Sequence, residues 1–372
     1  KAYALFEKSD YLKSIEATEN QGTVTDLNEK FSYLKADCFF CLGDYEQAVQ
    51  HFSKSYKLKN KYSLYRIAEC YALMNDAFKA TEYLKAYMDL KDKLLRSEIR
   101  SDKNFNTISD SKAWKELWKN DLYNNFEKKL DEAKFFISNG KHADAFYILD
   151  NLIIKNKNRY RAFEMRGDLY MIIHDYKKAA KDYSEASKLR KKNTNYMIKE
   201  ATALLKAGKF KRSADLFNQI AVKYPYRIDF YINKAKAEFY SEDYYTFKIT
   251  VSEYVKYYPK NAEANFLLAK AFEKENDLIN ALISYNTCIE NDDSEAGYFI
   301  SRGDVHMQTK LYENAATDYS MALDLNPLSG EVYYKRGISK LNFDTESACK
   351  DFQKALNLNY HKANDYLVKY CK

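Results

Sequence analysis

The chain has 372 residues, 30% of them charged, with 60 Lys and Arg against 53 Asp and Glu and a formal net charge of +7. Nine Gly and three Pro are too little punctuation for a β-rich protein, so an all-helical chain is predicted. A single packed core rarely grows to this length, which leaves separate domains or an array whose units each pack only on their neighbours.

Helical hairpins start at once. Ser9-Asp10-Tyr11 reads as the turn of a first hairpin that lacks half a helix before it. That, and Lys in place of Met at the start, predicts a trimmed N-terminus, either by removal of a signal peptide or by truncation of the expressed chain. Ala36, Phe39, Gly43, Asp44, Tyr45, Ala48 and Phe52 then mark a full unit over 29–60, and Ala68, Tyr71, Ala80 and Leu84 another over 61–92. Residues 1–98 are accordingly assigned to an N-terminal sub-array.

Phase is lost over 93–125, with the insert proper placed at 99–125. It holds both tryptophans of the chain, and Trp114, Leu117 and Trp118 make one apolar stripe on a helix capped by Asp110 or Ser111. The stripe has to be covered. The end of the N-terminal sub-array is the expected cover; the alternative makes Trp114 and Trp118 a secondary partner surface. A sub-array boundary with a bend or looser packing is expected near 100–112.

From there a small residue recurs every 34 positions, at Ala133, Gly167, Ala201, Ala235, Ala269, Gly303 and Gly337, which defines seven registered units over 126–363. With that residue at position 8, position 20 is mostly small (Ala145, Ala179, Ser213, Ala281, Ala315), and positions 24 and 27 continue a helical stripe. Gly or Asp in turns such as Gly140-Lys-His and Glu242-Asp-Tyr ends one helix and caps the next. Pro225, Pro259 and Pro327 all fall at position 32, where a second helix has to stop. Positions 8 and 20 lie equally far from the turn, so two antiparallel helices meet there and small residues let them approach. Phe247 replaces the small residue in 228–261, where over-packing against Ala235 is expected to splay the pair.

This 34-residue helix-turn-helix, with small residues at 8 and 20, an aromatic at 24, a small or apolar residue at 27 and proline at 32, resembles the tetratricopeptide repeat. The best match is 296–329, with Gly303, Ala315, Tyr319, Ala322 and Pro327 in place. The resemblance implies an α-solenoid of about nine full units with a partial first unit, closed by a capping helix over 364–372 that covers the last apolar face. The final unit has lost one residue in its turn, so Ala348, Phe352 and Ala355 take the roles of 20, 24 and 27.

Cys349 and Cys371 each stand eleven residues from Tyr360 in the loop before that cap, which sets them at one height on facing helices. A disulfide and two buried thiols both remain open there. Cys38-Phe-Phe-Cys41 has redox spacing, but it follows no strand and has no second pair or His, so no metal site is assigned.

No cofactor is expected and no enzyme. The five His share no ligand spacing, and no phosphate loop, nucleophile elbow or HExxH motif occurs. Eleven of the 60 basic residues are Arg, and the Lys alternate with acids, which argues against nucleic acid; the run Lys188–Lys192 reads as a solvated helix end. No apolar stretch reaches the ~18 to 20 residues of a membrane span.

In the resembling family, first-helix positions near 2, 5, 9 and 12 line the concave side of the superhelix. Position 5 holds Leu130, Ile198, Ile232, Phe266, Ile300 and Tyr334, with Glu164 the exception; position 12 includes Phe239 and Met307. Lys134, Asp168, Lys236, Lys270 and Asp304 edge this row at position 9. Such a groove suits an amphipathic helix or extended peptide, although the same side chains could be spent packing between first helices. Position 5 is never Lys and position 9 never Asn in these units, so the carboxylate clamp of chaperone-tail-binding members is absent. The expected function is a non-enzymatic scaffold or adaptor holding a partner polypeptide in the groove. The alternative is a chaperone-like peptide-binding module of the cytoplasm. The stretch from Ser347 to Ala363 with Tyr370-Cys371 resembles the ends of exported tetratricopeptide proteins of Bacteroidetes-type bacteria, which implies the periplasm or cell envelope and association with an outer-membrane complex. Six cysteines without a full pairing scheme point the other way, to a reducing cytoplasm.

Overall fold

The computed structural model describes residues 2–19, 25–191, 193–224 and 227–371, all helix and turn, with no strand among the described residues. Hairpins follow in chain order: α1 (Ala2–Glu7) with α2 (Tyr11–Glu19), α3 (Thr25–Cys41) with α4 (Tyr45–Lys57), and α5 (Ser63–Leu73) with α6 (Ala77–Met88). Then come α7 (Arg96–Arg100), a 3-10 helix (Lys103–Ile108) and α8 (Lys112–Leu117). The registered hairpins are α9 (Asn125–Ser138) with α10 (His142–Lys155), α11 (Tyr160–Ile172) with α12 (Tyr176–Leu189), and α13 (Thr194–Lys206) with α14 (Phe210–Lys223). They continue as α15 (Tyr231–Tyr240) with α16 (Tyr244–Tyr257), α17 (Ala262–Lys274) with α18 (Leu278–Asn291), α19 (Ala296–Gln308) with α20 (Tyr312–Leu325) and α21 (Gly330–Lys340) with α22 (Thr345–Asn357). α23 (Ala363–Tyr370) closes the series.

The first six registered turns are built the same way. Gly140, His174, Gly208, Glu242, Asn276 and Lys310, spaced 34 apart, all have φ between 59° and 71°. In the first of them Gly140 N donates to Ile137 O at 3.1 Å and Lys141 N to Phe136 O at 2.9 Å, the paired bonds that satisfy the last carbonyls of a helix. One residue later the second helix is capped: Asp243 accepts from Thr246 N at 3.2 Å and Asp277 from Asn280 N at 3.2 Å. Pro259 and Pro327 follow the ends of α16 and α20; Pro225 lies outside the described residues.

Positions 8 and 20 do face each other. Where position 20 is Ser, its hydroxyl donates to the position 8 carbonyl: Ser14 Oγ to Ala2 O at 2.8 Å and Ser213 Oγ to Ala201 O at 2.7 Å. Gly303 and Gly337 have aromatic rings in place of side-chain space, since a Cβ on Gly303 would stand 2.9 Å from Tyr319 and one on Gly337 2.6 Å from Phe352. Phe247 is fully buried against Ala235, Val251 and Phe239.

The chain divides into two compact units, one of residues 1–174 and 185–190, the other of 175–184 and 191–372. This division falls away from the boundary expected near 100–112. In the first unit the insert is packed, not looped out: Phe105, Ile108, Trp114 and Leu117 join Leu64, Tyr65, Ala68, Leu84 and Met88 in one core. Asn104 Nδ2 donates to Glu69 at 2.7 Å and Thr107 Oγ1 to Ala72 O at 2.6 Å, both 35 residues away, and Ser97 donates to Asp131, 34 away. Those separations are one repeat length, so 93–125 takes the place of a hairpin in the stack and is a shortened unit.

Candidate functional site

In the second unit the position 5 row comes from five successive first helices: Ile198 on α13, Ile232 on α15, Phe266 on α17, Ile300 on α19 and Tyr334 on α21. All five are half-buried. Each leans on its own hairpin core, Ile198 on the cluster of Ala201 and Phe217, Ile232 on that of Phe247 and Val251, and Ile300 on that of Tyr319 and Val332. Phe266 packs between Tyr298, at 5.0 Å between ring centres, and Tyr285, at 5.8 Å. At position 12, Phe239 and Met307 are half-buried in the same clusters. The row therefore does both jobs at once: part of each side chain packs between helices and part stays uncovered.

Its charged edge is internally paired. Lys236 forms an ion pair with Glu263 on the next first helix, and Lys270 with Glu273 at 2.8 Å. Asp304 accepts from Tyr319 Oη at 2.7 Å and pairs with Lys335 on α21 at 2.8 Å. Burial pushes the Tyr285 and Tyr319 phenols up, reinforced by the carboxylates of Glu273 and Asp304 that accept their hydrogens. They stay neutral donors, so the face presents a row of apolar side chains beside a charge-paired rim.

In the first unit the candidates fare differently. Leu130 is completely covered, on the helix that α7 is bonded to: Ser97 bonds Asp131, and Glu98 pairs with Lys134. Leu130 is thus a core residue and offers a partner nothing. Trp114 is buried against Phe105, ring centres 5.2 Å apart, with Trp118 half-buried at its edge under Arg96 and Arg100. The sub-array end, not a partner, covers the stripe, as the burial of a large aromatic pair requires.

Cys349 and Cys371 are joined as a disulfide, Cα atoms 5.6 Å apart, fastening α23 to α22. Cys38, Cys41, Cys70 and Cys288 are free, with Cys41 exposed. Burial pushes the Cys70 and Cys288 thiols up to about 12, which keeps them protonated and inert. Among the described residues no cluster of His, Cys, Asp and Glu could hold a metal ion, and no helix is long and apolar enough to cross a membrane.

Sequence reasoning missed an exposed apolar group in the second unit. Tyr245 (80% exposed) and Ile249 (53%) on α16, with Ile279 (75%) and Ile283 (57%) on α18, occupy positions 18 and 22, off the core stripe. The signal was an apolar i, i+4 pair repeated in consecutive units where solvated side chains are the rule.

Family models for the tetratricopeptide repeat match residues 30–62, 62–90 and 262–295. A curated relative, DnaJ homolog subfamily C member 3 of Gallus gallus, is 24% identical over 241 residues, 60% of this chain and 47% of the relative, so the chain spans about half the length of that protein. A tetratricopeptide repeat protein from Parabacteroides merdae superposes with a TM-score of 0.51 at 16% identity, covering 65% of this chain and 97% of that one. A chain of the APC/C hetero-tetramer Cut9-Hcn1 superposes with a TM-score of 0.50 at 13% identity, covering 100% of this chain and 82% of the other. These likenesses show the fold. The chain is an all-helical array of tetratricopeptide repeats.

Proposed function

We propose that this protein is a non-enzymatic scaffold that holds a partner polypeptide against the first-helix face of its second unit, as a subunit of a larger cell-envelope assembly. The observation that carries the reading is the row Ile198, Ile232, Phe266, Ile300 and Tyr334: five helices in succession keep apolar surface partly uncovered at one position, where a side chain that only packed would be buried and one that only met water would be polar. Association of that assembly with a membrane fits a chain whose own described helices do not span one. The Cys349–Cys371 disulfide supports an oxidising compartment such as the periplasm.

The test is crosslinking and recovery of partners from the native host with the wild-type chain and with I232D/F266D/I300D. Because Phe266 also supports its hairpin, I198A/I232A/I300A serves as a milder version. Loss of the partner from both, with helical content intact, is the expected result; retention in both removes the first-helix face from consideration. A second reading, a peptide-binding module of the cytoplasm, draws on the free and exposed Cys41. Thiol titration of the denatured native protein separates them: four thiols fit the envelope, six the cytoplasm.

A further inference from the structure

The second helices of the second unit carry a surface that the first-helix reading leaves unused. Their starting residues follow one another in a regular row, each tied to the end of the next first helix: Lys206 lies over the Tyr176 ring at 5.7 Å, Tyr240 stacks on Phe210 at 4.9 Å, and Lys274 lies over Tyr244 at 4.6 Å. One residue further on, at position 18, the row reads Lys177, Lys211, Tyr245, Ile279; at position 22 it reads Lys181, Asp215, Ile249, Ile283.

The two halves differ in kind. Lys177, Lys181, Lys211 and Arg212 are exposed and form no direct ion pair among the described residues, while the neighbouring Lys178 is paired with Asp175. Repeat 194–227 as a whole has seven Lys and Arg against two Asp and Glu, the highest excess of the seven units. On α16 and α18 the same positions are apolar and 53–80% exposed. Lys248 of α16 pairs with Glu275 just before α18, which holds the two apolar helices side by side.

We infer that the outer row of α12, α14, α16 and α18 is a second docking surface, and that its occupant is a polypeptide segment acidic at one end and apolar at the other. Charge complementarity fixes the acidic end and desolvation of the exposed Tyr and Ile the apolar end. The lengthwise segregation selects a polypeptide. A membrane surface is met by cations ringed around an apolar face on one element, and a nucleic acid presents the same charge along its whole length; only a chain of varied sequence changes character over two hairpins and then two more. The surface is distinct from the first-helix face, so either can fail without the other.

The probe is a synthetic peptide of about 20 residues, a helix of about 30 Å, with a Glu-rich half and a Leu/Phe-faced half, made in both orders and also as separate halves. Anisotropy is read at about 0.15 M salt. One order of the full peptide is expected to bind at least about tenfold more tightly than either half, and K177E/K181E/K211E/R212E and Y245S/I249S/I279S/I283S are each expected to weaken it about tenfold or more. K54E/K57E/K59E/K61E, which reverses as many charges in the first unit, and I198A/I232A/I300A are expected to leave it unchanged. Absence of binding in both orders, equal loss in the K54E set, or preferential capture by phosphatidylserine vesicles or single-stranded DNA overturns the inference. Salt-sensitive dimerisation of the chain in sedimentation, abolished by the same variants, overturns it in favour of a second copy.

Discussion

The ring of Tyr319 occupies the space that a side chain on Gly303 would need, its Cε1 only 2.9 Å from where that Cβ would stand. Phe352 stands closer still to Gly337, at 2.6 Å. Both rings are buried, and Tyr319 is also pinned by its bond to Asp304. An Ala at either position gains about 1 kcal/mol of helix propensity but drives a buried ring from its place, at a cost of about 1–3 kcal/mol. G337A is therefore expected to lower stability and G303A to lower it less, read as the denaturation midpoint of each variant.

Glu69 carries a pH prediction. Burial pushes its carboxyl up to about 7, against the pull of Arg66 at 2.6 Å and the amide of Asn104 at 2.7 Å. A carboxyl raised in the folded state costs nothing below its unfolded value and destabilises increasingly as pH climbs from there to the folded value. Between about pH 5 and pH 8 the wild type is expected to lose stability of order 3 kcal/mol from this group, and E69Q to lose much less. Urea midpoints across that range check it; parallel curves for the two proteins contradict it.

The cap supplies another. α23 buries Ala363 and rests Tyr366 on Phe352, ring centres 5.1 Å apart, while Val368 is 76% exposed. The disulfide adds a covalent tie to this contact. Closing a loop of this length is worth about 3 kcal/mol, so C371S or reduction is expected to abolish amide-exchange protection in α23 and leave that of α17 to α20 in place. Native-state alkylation should modify Cys41 quickly and Cys38, Cys70 and Cys288 only on unfolding.

The burial of Trp114 predicts that W114A costs about 3–5 kcal/mol and that α5, α6 and the 93–125 unit lose protection together, since they share one core. Loss confined to 99–125 would mean that the insert is a separate appendage.

The hairpins were legible because small residues at 8 and 20 and the 34-residue period follow directly from helix packing. The left-handed turn residue was only half legible: Gly140, Gly208 and Asn276 announce it, whereas His174, Glu242 and Lys310 adopt it under the constraint of the stack. The insert was misread as out of phase because a 3-10 segment and two short helices replace the usual pair, hiding a unit that still bonds its neighbours one repeat length away. For the site, apolar residues at position 5 were visible, but a row of letters does not say how much surface remains. Leu130 keeps none of it, whereas Ile232 and Ile300 stay partly exposed.

The central claim is that this remaining surface meets a partner. Benzoyl-phenylalanine placed at 232 and at 300, with 147 on the second-helix side as reference, followed by irradiation in the native host, measures it most directly. One and the same protein adduct at 232 and 300 and not at 147 is the predicted result. Adducts at 147 alone, or none at 232 and 300 in a folded chain, would contradict it.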